Sequence, residues 1–278
     1  MSKRKQNATD GEDDGSDVSL VDVDFEFFNP NPEVDYIALK RLAVQIFQGD
    51  AEALQVTDLA DLILSQPLVG TTIKCDGEES DPYSVLTVLN VHVHRTRPSI
   101  KALVDYALLK SSSDPAFHAT LQTLLGQAGL QSQNHVGYIF SERLINMPVQ
   151  TVPPMYRMLG DEIEKAAGED LPYSFSHLLF ISRTYRLTAE EAAELEARAP
   201  RSKRHKGSET LTGGVHSFHP EDDVIAQFAT HSIDYSFTTA QPREKESFGL
   251  EMGGKMMLVP ADRYSRLAAT LSETFPPP

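Results

Sequence analysis

The sequence predicts an α/β protein: a mixed β-sheet covered by helices on both faces. Three observations predict it. The runs "SVLTVLNVHV", "HVGYIF" and "SHLLFIS" are apolar on both faces, as central strands buried on each side must be. Between them lie stretches with apolar residues at helical spacing. Strand and helix patterns alternate along the chain with no internal repeat, which is the pattern of layered α/β architecture.

The elements follow in order. Residues 1–17 are polar and Gly/Ser/Asp-rich, too poor in apolar groups to offset the entropy of ordering, so they read as a disordered acidic tail. One domain over 18–275 is expected to follow. "VDVDFEF" alternates, with Val21, Val23, Phe25 and Phe27 on one face and Asp22, Asp24 and Glu26 on the other, and "NPNP" closes this half-buried strand. Helices are expected near 34–48 and 57–66, and "PLVGTTIKCDG" reads as a strand entering a turn. "RPSIKALVDYALLK" places Ile100, Leu103, Val104, Ala107 and Leu108 on one helical face after Pro98 at a first helical position. A further helix covers 115–125 and ends at Gly126. In "PPMYRMLGDEIEKAAGED", Met155, Met158, Leu159 and Ile163 form a core-facing stripe, while Asp161, Glu162, Glu164 and Lys165 lie elsewhere. An Ala/Glu-rich helix and a flexible basic loop at 199–212 come next. The carboxyl-terminal part is read as a helix near 221–229, a weak strand near 231–237, a strand at "KMMLVP" and a helix over 262–271.

Charge narrows the partners. The 278 residues carry a net charge of −15. Asp10 to Glu26 holds eight acids and no base, and Arg198 to Lys206 holds five bases and no acid. The body is acidic even without these stretches, which disfavours nucleic-acid phosphate as ligand and favours a basic partner. Cys75 is the only cysteine, which rules out an intramolecular disulfide and suits a reducing compartment. The stretch "MSKRKQNATDGEDDGSD" has no apolar signal core, and no run reaches the roughly 18 apolar residues of a membrane span. A nuclear or cytosolic home, with no membrane partner, is therefore expected. Arg201, Lys203, Arg204 and Lys206 in "PRSKRHKG" form a candidate nuclear-import address.

The chemical motifs are mostly negative. Walker lysine loop, G-x-G-x-x-G and G-x-S-x-G are absent from the sequence. His92 and His94, two apart on the expected strand, and His216 with His219, around a turn, lack further ligands at metal spacing, so no metal is expected. Asp22, Asp24 and Glu26 stand about 6.6 Å apart along a strand, too far to close on one ion. They serve instead as a solvated edge against strand pairing or as a patch for a lysine-rich partner.

The stretch "SERLINMPVQTVPPMYRML" follows an apolar strand and enters a helix, the arrangement that holds phosphates and acyl carriers at a helix start. Such a cradle needs free backbone N–H groups and close backbone approach. Pro148, Pro153 and Pro154 have no N–H, and no glycine lies between Gly137 and Gly160. Met147, Val149, Val152 and Met155 fill the loop with packing residues. No cofactor and no catalytic residue are expected. The alternative is an acyltransferase using acetyl-CoA, with Tyr138, Ser141, Glu142 and Tyr156 near the cleft as acids or bases.

"VDFEFFNP", "HVGYIFSERLINMP", "PPMYRML", "FSHLLFISRTYR" and "FHPED", in this order, resemble the BCCIP family of eukaryotes, called Bcp proteins in fungi, from about Val21 to Val259. The resemblance implies a fold similar to the GNAT acyltransferases without their acetyl-CoA site. It also implies a nuclear and shuttling escort: a chaperone of a large-subunit ribosomal protein that supports ribosome biogenesis and the nuclear export of a lipid kinase, with nuclear transport receptors as further partners. Animal members are in addition binders of a cell-cycle kinase inhibitor and a recombination mediator. The candidate contact residues rest on charge alone: Asp22, Asp24 and Glu26 as one group, Asp161, Glu162 and Glu164 as a second.

Overall fold

The computed structural model describes residues 24–66, 68–198, 213–238 and 251–277. Four strands, β1 (Glu26–Phe28), β2 (Thr71–Lys74), β3 (Ser84–Asn90) and β4 (Val136–Arg143), are antiparallel neighbours. β4 then runs parallel to β5 (His177–Leu187), whose far end pairs with the short β6 (Gly214–Ser217). Along its other edge β5 is antiparallel to β8 (Glu251–Pro260), and β8 pairs with β7 (His231–Ser236). The result is one mixed sheet in the order β1-β2-β3-β4-β5-β8-β7, with β6 attached to β5.

Strand alternation divides the core into two layers. Val85, Leu89, Tyr138, Phe140, Leu179, Ile181, Met256 and Leu258 face α1 (Tyr36–Phe47), α2 (Val56–Leu64), α3 (Pro98–Lys110) and α4 (Pro115–Leu125). Their sequence neighbours Leu86, Val88, Ile139, Leu178, Phe180, Met257 and Val259 face α5 (Val152–Gly168) and, past the Ala/Glu-rich α6 (Ala189–Arg198), α7 (Glu221–Phe228) and α8 (Tyr264–Thr274). The expected mixed sheet with helices on both faces is present. Pro98 begins α3, and Asp114 caps α4 by accepting from the backbone N–H groups of Ala116 and Phe117.

Several local expectations need correction. Among the described residues the first strand covers Glu26 to Phe28, which pair with β2, and residues 21–23 of the expected strand lie outside the described residues. Phe27 lies at the surface, while Phe25 packs on the α5-side core. "SVLTVLNVHV" stops at Asn90, whose side-chain oxygen accepts from the N–H groups of His92 and Val93 and closes a turn. His92 and His94 therefore sit in a turn rather than on a strand. β6 was not anticipated, and β8 begins four residues before "KMMLVP". That extension depends on Gly254, since a Cβ there would fall 2.3 Å from the Tyr235 ring that crosses it.

Candidate functional site

β4 and β5 are hydrogen-bonded only where Val136–Ile139 face His177–Phe180. Beyond this they part, β6 takes over the edge of β5 that β4 has left, and a wedge opens at the start of the loop to α5. This is where the strand–loop–helix of the sequence would present an acyl carrier. Side chains of the protein close the wedge.

On the α1 side lies Glu142, which is 2% exposed. It accepts two hydrogen bonds from Arg183 of β5, at 2.9 and 3.1 Å, and one from His219 Nε2 at 2.7 Å. Gln45 of α1 and the backbone N–H of Arg143 complete its shell. Burial alone would raise this carboxyl, but His219 and Arg183 override it and hold the group below its ordinary value. The Arg183 guanidinium also rests 3.8 Å from the centroid of the Phe218 ring. On the α7 side Arg143 makes a two-pronged pair with Glu221, both contacts at 2.9 Å, and donates to the Met147 carbonyl of the loop. Beside it Ser182 donates to buried Asp222 at 2.5 Å. Burial pushes the Asp222 carboxyl up to about 7; His219 and Ser182 oppose the shift, and the Glu221 and Glu142 charges add to it.

The loop itself has few donors to offer. The Val152 N–H bonds the Val149 carbonyl, and the next two residues are Pro153 and Pro154. Met147, Val152 and Met155 are buried in the α5-side core and Val149 packs against it. These residues do not fit a coenzyme A diphosphate, which needs open donors at this helix start.

The residues considered for acyl transfer are placed for packing. Tyr138 and Tyr156 are buried, desolvation raises both phenols well above their ordinary value, and the hydrogen bonds from His219 and Arg183 hold the Glu142 carboxyl below its ordinary value. Ser141 is half-buried beside Tyr156. Nor do the histidine pairs converge. His92 is buried, accepts the Val136 N–H at Nδ1 and contacts the Gly129 carbonyl through Nε2, with its ring stacked on His135. The His216 ring stacks on Tyr185, whereas His219 belongs to the wedge. Among the described residues no three His, Cys, Asp or Glu side chains are grouped to hold a metal.

The acidic candidates separate. Asp24 and Glu26 are exposed on the sheet edge, and Asp22 lies outside the described residues. Asp161 and Glu164 are exposed on α5, but Glu162 turns inward and accepts the Gly70 N–H at 2.8 Å, so it is a structural tie and not a free charge. Arg201, Lys203, Arg204 and Lys206 lie outside the described residues.

Sequence reading missed Arg183, Glu221 and Asp222 as partners in the wedge and weighed His219 only with His216 as a metal pair. A signal was present, since Arg183 places a charge just after the apolar run Leu178–Ile181. Moreover "SER", "ISRTYR" and "FHPED", all within the phrases that carry the family resemblance, are the stretches that meet here.

Fold and site together define an α/β protein whose parted central strands are cross-linked by its own ion pairs. A BCCIP family model matches residues 20–225. The chain is 39% identical over 277 residues to Protein bcp1 of Aspergillus fumigatus, covering 96% of this chain and 92% of that one. It is 38% identical over 265 residues to Protein bcp1 of Schizosaccharomyces pombe, covering 93% and 92%. The crystal structure of BCP1 from Saccharomyces cerevisiae matches with a TM-score of 0.62 and 26% identity, over 95% of this chain and 93% of that one. The chain belongs to the BCCIP family.

Proposed function

We propose that this protein is a non-enzymatic escort, nuclear and shuttling to the cytoplasm, that binds a basic client; the family resemblance implies a large-subunit ribosomal protein. The observation that carries this reading is the closed wedge. Where an acyltransferase would keep a cleft, Glu142 is bonded to Arg183 and His219, and the loop before α5 is packed with apolar side chains. Surface is what the molecule has left to offer, and a net charge of −15 makes a cationic partner the favourable one. Electrostatic attraction speeds encounter and keeps the client from premature contact with RNA. Export of a lipid kinase, implied by the same resemblance, is a second cargo of the same escort. The basic cluster Arg201 to Lys206 supports nuclear entry, and a reporter fused to residues 196–210 that stayed cytoplasmic would remove that part.

The test mixes purified full-length protein with salt-extracted large-subunit ribosomal proteins. Retention of a basic protein is expected, with an association rate that falls as salt rises. Replacing Asp24, Glu26, Asp161 and Glu164 by lysine should slow it roughly tenfold. An unchanged rate and salt dependence would clear these surfaces of the role. Calorimetry with acetyl-CoA should stay silent at millimolar ligand, and heat at micromolar ligand would restore the enzyme reading.

A further inference from the structure

A trough of about 660 Å³ runs between α5 and α8, on the face of the sheet opposite α1 to α4. It approaches the wedge at buried Tyr156 and otherwise follows the middle of α5 and the segment that leads into β5. We infer that it seats an amphipathic basic helix of a protein client, which rests on the escort reading and gives it an address.

At Gly160, which lines the trough, α5 and α8 meet closely. The Tyr264 ring lies against α5 there, and a Cβ on residue 160 would be 3.2 Å from it. Tyr264 is fixed by donating to the Tyr156 carbonyl at 2.8 Å. Ile163 lines the trough from α5, and from the segment before β5 come Tyr173 and Phe175, half-buried with rings at 88° and centroids 6.1 Å apart. Along α8 the lining is small, with Ala268 and Ala269 followed by Ser272. A third helix can therefore bring its backbone close to α8 while inserting large side chains against the two aromatic rings.

The rim decides the sign of the guest. Asp161, Glu164 and Asp262 are exposed along it, and among the described lining residues Arg157 is the one cation. Three carboxylates disfavour phosphates, acyl carriers and anionic lipid headgroups. They complement a helix with leucine-like residues at i, i+3/i+4 and i+7 flanked by lysine or arginine. A volume within the roughly 300–1,000 Å³ of ligand clefts is enough to anchor such side chains.

The test uses full-length protein and a fluorescent helical peptide with leucines at i, i+3/i+4 and i+7 and lysines elsewhere. Its counterpart carries glutamates in place of the lysines. The lysine peptide should bind, and Ala269→Trp, which fills the trough from an exposed position, should weaken binding at least about tenfold. Asp161→Lys with Glu164→Lys should do the same without altering the trough's shape, whereas Asp76→Lys with Glu79→Lys, exposed between β2 and β3, should leave peptide binding unchanged. Equal binding of the glutamate peptide, or indifference to both trough variants, overturns the inference. The ribosomal extract separates the two readings. Extract proteins retained equally by wild type and A269W would leave the escort standing and sink the trough as its seat. A peptide displaced by A269W, with nothing basic retained from the extract, would keep the trough as a basic-helix site and fail the escort.

Discussion

Glu142 shows how strongly single residues govern this molecule. Its carboxylate faces two potential cations in a space closed to water, and each of its oxygens is occupied. Glu142→Ala would leave buried Arg183 without its carboxylate and should cost about 3–5 kcal/mol, read as a lower urea midpoint at unchanged slope. Two buried groups give pH effects of opposite sign. Burial and the His135 ring beside it depress His92 from 6.5 to about 4, so it stays neutral in the fold, accepting from Val136. The unfolded chain takes up that proton first, so the stability tied to His92 is present above about 6.5 and is lost as pH falls towards 4. The gap in thermal midpoint between wild type and His92→Asn should therefore narrow on acidification. Asp222, raised from 3.8 to about 7, behaves in reverse: its contribution is full below 3.8 and is lost as pH rises through 7. Asp222→Asn should gain on wild type across that window, and a gap independent of pH would refute the assignment.

At the scale of elements, the divergence of β4 from β5 makes the site. Both strands continue past their last shared bond, so their polar residues, Glu142 with Arg143 and Ser182 with Arg183, face one another across a gap that β6 and α7 close. Gly70 marks the other end of the α5 layer. Its φ of +136° is one that other residues rarely adopt, its N–H ties Glu162, and a Cβ would lie 2.9 Å from Thr87 Oγ1. Gly70→Ala should cost about 1–3 kcal/mol by thermal melting. The cap of α4 offers a milder check: Asp114→Ala removes the acceptor for two N–H groups and should cost about 1 kcal/mol.

For the whole molecule, charge and layering were legible before any coordinates. Runs apolar on both faces announced a sheet buried on each side, and α1 to α5 fall within a few residues of where periodicity placed them. β6 could not be read: four residues, "GVHS", carry no periodic pattern and become a strand only because β5 offers a vacant edge. The second acidic group divided for a related reason. Asp161, Glu162 and Glu164 are alike in sequence, but a helix turns about 100° per residue, so one of the three points to the sheet while two face solvent.

By itself the sequence determined the α/β class, the two-sided burial of the central strands, the acidic balance and the lack of donors before α5. These depend on composition and on spacing within one segment, which are local properties. Only the tertiary structure decided that the wedge is closed by pairs 40 to 78 positions apart, that Glu162 is a tie, and that the Tyr264 ring lies against α5 at Gly160. Those outcomes depend on which distant side chains arrive at the same place, and no local pattern encodes that.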